Sequence, residues 1–171
     1  MSPDTSLRTH WCGRRDSRSR TAQEFRPALN VLVVEDEPDA AISTAMLLEL
    51  EGHRVRLAGD GPAALQAARA DAPDVILLDL GLPQMNGWQV ARELCRQAAD
   101  NKPLLIAVSG HGQRADRDRS EEAGIDLHLV KPVDPEFLLS LLRRCRAQLL
   151  AGRINRPSPQ PHYLCLGTPA F

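Results

Sequence analysis

Five short apolar runs recur along the chain, at 29–34, 55–58, 75–78, 104–108 and 127–130. They are short, mostly aliphatic and often β-branched, as expected for buried strands of a parallel sheet. Helical spacing fills the intervals. The segment 40–50 ends at Gly52, 62–70 follows Asp60-Gly61, 88–97 follows Asn86-Gly87, and 113–123 ends at Gly124. A last helix is expected over 135–150, with Asp134 as N-cap and Pro135 at the first helical position. The order is (βα)5. It predicts an α/β fold, a doubly wound five-stranded parallel sheet with right-handed crossovers and helices on both faces.

The ends of the 171-residue chain break this pattern. Residues 1–27 hold six arginines and three acids without apolar periodicity and read as a disordered basic arm. Residues 151–171 include Pro157, Pro159, Pro161 and Pro169 and read as an extended Pro-rich tail. One domain, 28–150, is expected between them. A net charge of −1 and 43% apolar residues exclude a polybasic nucleic-acid binder and a disordered polymer. Cys12, Cys95, Cys145 and Cys165 form no Cys-x-x-Cys pair, which favours a reducing compartment. No signal-type or membrane-spanning apolar stretch is present, so a cytoplasmic location is expected.

Open parallel sheets bind ligands beyond the carboxyl ends of their strands. The residues there are Glu35 and Asp36 after the first run, Asp79 after the third, Ser109 after the fourth and Lys131 after the fifth. Three converging carboxylates repel one another unless a cation sits among them, and an all-oxygen set suits Mg²⁺. A carboxylate attacking phosphorus forms an acyl phosphate, with Mg²⁺ and a lysine balancing the charge of the transferred group. Only two of the 21 basic residues are lysines, Lys102 and Lys131. A lysine among so many arginines points to a site needing a compact ammonium in place of a planar fork.

Four segments carry a family resemblance: Val33-Val34-Glu35-Asp36-Glu37-Pro38-Asp39, Leu77-Leu78-Asp79-Leu80-Gly81-Leu82-Pro83-Gln84-Met85-Asn86-Gly87, Val108-Ser109-Gly110 and Leu129-Val130-Lys131-Pro132-Val133. In order and spacing they resemble the CheY-like receiver family of two-component signalling, over 28–150. The resemblance implies a flavodoxin-like fold with Asp79 as phosphoacceptor. It implies Mg²⁺ held by Glu35, Asp36, Asp79 and the backbone carbonyl of Gly81, with Ser109 and Lys131 contacting the phosphoryl group. It also implies a cis Lys131-Pro132 peptide. His128 takes the switch position, where the family usually has Tyr or Phe, and a histidine there would make the output pH-sensitive.

The implied function is a single-domain response regulator. A sensor histidine kinase or histidine phosphotransfer protein would phosphorylate Asp79, and a downstream effector protein would read the switched surface. No direct DNA-binding domain and no membrane association are expected. The chain would catalyse only its own phosphorylation and slow dephosphorylation. The alternative is a phosphate-independent pseudo-receiver serving as a docking module.

Other patterns are weaker. Gly110 to Ala115 matches G-x-G-x-x-A, but after the fourth strand, whereas a dinucleotide site uses the first. A phosphatase of the haloacid-dehalogenase type needs a second Asp two residues after its nucleophile, and Gly81 stands there. His111 lacks a partner at zinc-like spacing. The alternating charges of Arg114, Asp116, Arg117, Asp118 and Arg119 read as an exposed helix face, which Arg143, Arg144 and Arg146 would extend.

Overall fold

The computed structural model describes residues 28–98, 102–110 and 114–150. The arm and tail read at 1–27 and 151–171 lie outside these, as do His111 and Gln113. Ten elements alternate: β1 (Asn30–Val34), α1 (Pro38–Leu50), β2 (Arg54–Ala58), α2 (Gly61–Ala70), β3 (Val75–Asp79), α3 (Gly87–Gln97), β4 (Leu104–Ser109), α4 (Arg114–Glu122), β5 (Leu127–Val130) and α5 (Pro135–Leu150). The strands form one parallel sheet in the order β2-β1-β3-β4-β5. The chain winds outward in opposite directions from β1 and β3, so the crevice between their carboxyl ends is the natural ligand position.

Side chains alternate between two cores, because successive strand residues face opposite sides of a sheet. Val31, Val33, Val75, Leu77 and Ile106 pack with Leu48, Leu138, Leu141 and Leu142 beneath α1 and α5. Leu32, Val34, Ile76, Leu78 and Leu105 pack with Ala64, Val90, Ala91 and Leu94 on the other side. Both faces being covered explains why the central strands read as unbroken apolar runs.

Helix starts follow local chemistry. Asp60 Oδ1 accepts from Ala63 N–H at 2.7 Å, and Asp134 Oδ1 accepts from Phe137 N–H at 3.0 Å. Asn86 and Gln89 form a reciprocal capping box of 3.0 and 3.2 Å. Each such cap contributes about 0.5–2 kcal/mol. Gly52 and Gly124 adopt φ of +84° and +78° just beyond α1 and α4, where an L side chain is strained.

Boundaries shift by small amounts from those the pattern suggests. α1 begins at Pro38, two residues before the apolar spacing becomes visible, because proline suits a first helical turn. β3 and β4 each run one residue past their apolar stretch, since ladder pairing continues through Asp79↔Val108 and Ser109↔Val130. The trio on α5 does not form one surface. Arg143 and Arg144 are exposed, but Arg146 is buried at 7% exposure, because it stands four residues after the core residue Leu142 and shares its inward face.

Candidate functional site

Backbone hydrogen bonds hold the carboxyl ends of the strands in place. Glu35 N–H donates to Ala58 O at 3.0 Å, Leu80 N–H to Val108 O at 3.2 Å and Lys131 N–H to Ser109 O at 2.8 Å. Four of the strands therefore deliver polar residues to one edge. Glu35 and Asp36 leave β1, Asp79 ends β3, Ser109 ends β4 and Lys131 follows β5. Asp79 and Ser109 are buried, at 9% and 4% exposure, whereas Asp36 is exposed.

Both carboxylate oxygens of Asp79 are engaged. Oδ1 accepts the Gly81 N–H at 2.8 Å and Oδ2 accepts from Lys131 Nζ at 2.8 Å. The same ammonium donates to Glu35 Oε2 at 2.8 Å. Burial pushes the Asp79 carboxyl upward, but the Lys131 hydrogen bond, the Gly81 N–H and the Lys131 charge together hold it below its ordinary value. Glu35 is pushed up, first by burial and then by the Asp79 charge, against the opposing pull of Lys131. Burial disfavours the Lys131 ammonium, yet its bonds to Asp79 and Glu35 outweigh this and raise its pKa.

Glu35, Asp36 and Asp79 each offer an oxygen, all within 4.8 Å of one another. With all three ionised, one ammonium leaves two negative charges, which a divalent cation balances. Three oxygen donors, one of them exposed and open to water, fit a hard cation such as Mg²⁺. Gly81 contributes its N–H to Asp79 directly. The Lys131-Pro132 peptide is cis, as the resemblance implies.

Two features were silent in the sequence. Gly87 opens α3 so close to the acidic strand that a Cβ there would lie 2.6 Å from Asp79 O and from Leu80 Cα. The sequence signal, Asn-Gly, reads only as a helix start. The second is a buried polar junction. His128 Nδ1 lies 3.0 Å from Ser120 Oγ, which also accepts from Trp88 Nε1 at 3.1 Å. The other lysine, Lys102, stands far from Asp79, with Nζ on Gly124 O and on Asp126 Oδ1 at 3.2 Å, and closes the turn between α4 and β5. Scarcity of lysine therefore does not by itself mark the site. Among the described residues no helix is long and apolar enough to cross a membrane.

Comparison with known proteins agrees with this geometry. The family model described as response regulator receiver domain matches residues 31–143. Protein PilH of Pseudomonas aeruginosa is 34% identical over 112 residues, covering 66% of this chain and 93% of PilH. The alkaline phosphatase synthesis transcriptional regulatory protein SphR of Synechococcus elongatus is 37% identical over 147 residues, covering 81% of this chain and 55% of SphR. The chain thus spans about half the length of several curated regulators that it matches. Among solved structures, the receiver domain of the sensor histidine kinase PA1611 from Pseudomonas aeruginosa superposes with a TM-score of 0.63 at 30% identity, covering 70% of this chain and 98% of that one. That structure has a magnesium ion coordinated in its active-site cleft. From its fold, its strand-edge carboxylates and the match over 31–143, the chain belongs to the response regulator receiver domain family, the CheY-like signalling switches of two-component systems.

Proposed function

We propose that Asp79 accepts a phosphoryl group from a phosphohistidine carried by a sensor histidine kinase or a histidine phosphotransfer protein. An Asp79 carboxylate oxygen forms the new O–P bond as the P–N bond breaks, and the departing imidazole takes up a proton. Lys131 steadies the charge on the transferred group and Ser109 donates its hydroxyl to it. Glu35, Asp36, Asp79 and the carbonyl of Gly81 would hold Mg²⁺, which supplies positive charge beside the phosphoryl oxygens when bound. The observation that carries this reading is the Lys131 ammonium, 2.8 Å from both Asp79 and Glu35 within a three-carboxylate cluster. The chain then acts as a switch that turns over no separate substrate.

A donor surface is available beside the site. Ile42, Met46 and Leu50, four residues apart on α1, are 48%, 59% and 85% exposed, and the stripe starts about one turn after Pro38, the first residue of the helix. A donor helix with an apolar face fits it. Residues 28–150 form the receiver domain in this reading, with 1–27 and 151–171 as flanking segments. It works in the cytoplasm, and output passes to an effector protein.

The test is intact-protein mass after incubation with acetyl phosphate, with and without Mg²⁺. One phosphoryl group gained only with Mg²⁺, and not in Asp79→Asn, is expected. No gain by folded, Mg²⁺-binding protein would overturn the reading and favour a phosphate-independent docking module.

A further inference from the structure

Ser120 lies outside the acceptor site and is 2% exposed. Its Oγ stands 2.8 Å from Asp116 O one turn back on α4, 3.1 Å from Trp88 Nε1 on α3 and 3.0 Å from His128 Nδ1 on β5. A serine hydroxyl has one hydrogen and two lone pairs, and an indole nitrogen only donates. With its hydrogen on the Asp116 carbonyl, the hydroxyl takes Trp88 N–H and His128 Nδ1–H into its lone pairs. Three elements therefore meet at one saturated oxygen.

Both flanking partners lead back to Asp79 by short paths. Trp88 directly follows Gly87, whose backbone abuts Asp79 O and Leu80 so closely that no Cβ fits. His128 lies on β5 two residues before Val130, which pairs with Ser109, and three before Lys131, which bonds Asp79. A rearrangement at Asp79 thus reaches Ser120 from two sides. On the outer side, the exposed Arg119 guanidinium lies over the Trp88 ring, 5.9 Å from its centroid.

We propose that Ser120 is a positioning residue that pins α4 to α3 and β5 while Asp79 is unphosphorylated, and that phosphorylation releases Trp88 from it. The α3–α4 face around Trp88 and Arg119 then changes with the state of the acceptor. This inference rests on the reading of Asp79 as acceptor. It gives the acceptor a route of output, because a fold packed at crystal density rearranges between discrete arrangements and does not deform gradually.

The experiment uses the full chain with Trp11→Phe, which leaves Trp88 as the single tryptophan. Trp88 emission and intact mass are followed on the same sample during phosphorylation by acetyl phosphate with Mg²⁺. Emission is expected to change in step with the mass gain. Adding Ser120→Ala should set emission at its released value from the start and remove the further change, with the mass gain retained, while Ser120→Thr, which keeps the hydroxyl, should restore the change. A mass gain with constant Trp88 emission, or an undiminished change in Ser120→Ala, overturns the junction and leaves Asp79 standing as acceptor. Absence of any mass gain overturns the acceptor reading and this inference with it. Should Ser120→Ala fail to fold, Ser120→Cys, whose thiol is a weak hydrogen-bonding group, takes its place with the same two outcomes.

Discussion

Lys131 and Asp79 meet over the end of an intervening strand. β4 separates β3 from β5 in the sheet, yet Lys131 Nζ comes within 2.8 Å of Asp79 Oδ2. A flexible four-carbon stem ending in a point charge makes this reach, and a guanidinium fork would have to reorganise both carboxylates to fit. Lys131→Met should slow phosphorylation from acetyl phosphate roughly 10–100-fold, the equivalent of about 1.5–3 kcal/mol for a charged hydrogen bond. Lys131→Arg should recover only part of the rate. Initial rates by intact mass check both, and wild-type speed in Lys131→Met would remove the lysine from the chemistry.

Gly87 gives a prediction about packing. A methyl group there meets backbone atoms at 2.6 Å, which cannot swing aside as a side-chain tip would. Gly87→Ala should destabilise the fold by about 1–3 kcal/mol, the usual range for overpacking. A urea unfolding midpoint equal to that of the native protein would contradict it.

His53 sets a pH dependence. It is 6% exposed, and its Nδ1 accepts the Leu29 N–H at 3.4 Å. Burial, with the nearby Arg146 charge adding to it, lowers the imidazole pKa below its ordinary value. The unfolded chain therefore binds the proton more readily than the folded one. The His53 contribution to stability is full above the unfolded value of about 6.5 and is lost as pH falls through it toward the lower folded value. Urea titrations at successive pH values should show a decline that is shallower in His53→Gln.

The α1 stripe separates docking from chemistry. Ile42→Ser with Met46→Ser should weaken phosphoryl transfer from a cognate kinase about tenfold or more, since buried interface anchors of this kind contribute above about 1 kcal/mol each. Labelling by acetyl phosphate should be unaffected, because neither side chain belongs to the carboxylate cluster. Equal loss with both donors would place the defect in the fold.

Much of this architecture could be read from residue order, and the residues that escaped show why. Strands buried on both faces have no alternative reading as amphipathic elements, so β1, β3 and β4 stand out in Val31–Val34, Val75–Leu78 and Leu104–Val108. Glu35, Asp79 and Lys131 were legible because they break those runs at the edge where ligands bind. The Ser120 junction was not. α4 is dominated by charge, and a serine bonded to its own helix carbonyl leaves no mark in hydrophobic spacing. Arg146 was misplaced for a related reason: adjacent charged residues on α5 look alike in sequence, and only the helix period sorts inward from outward.

The two ends of the described chain depart from the same pole. β1 enters at Asn30 and α5, antiparallel to the strands, finishes near it, with Leu29 and Cys145 sharing one apolar cluster and Arg143 anchored to Glu51 at the close of α1. Asp79 occupies the opposite pole. Residues 28 and 150 thus stand about the length of a strand away from Asp79. Reporter fusions at residues 28 and 150 should accordingly leave the labelling kinetics of Asp79 intact.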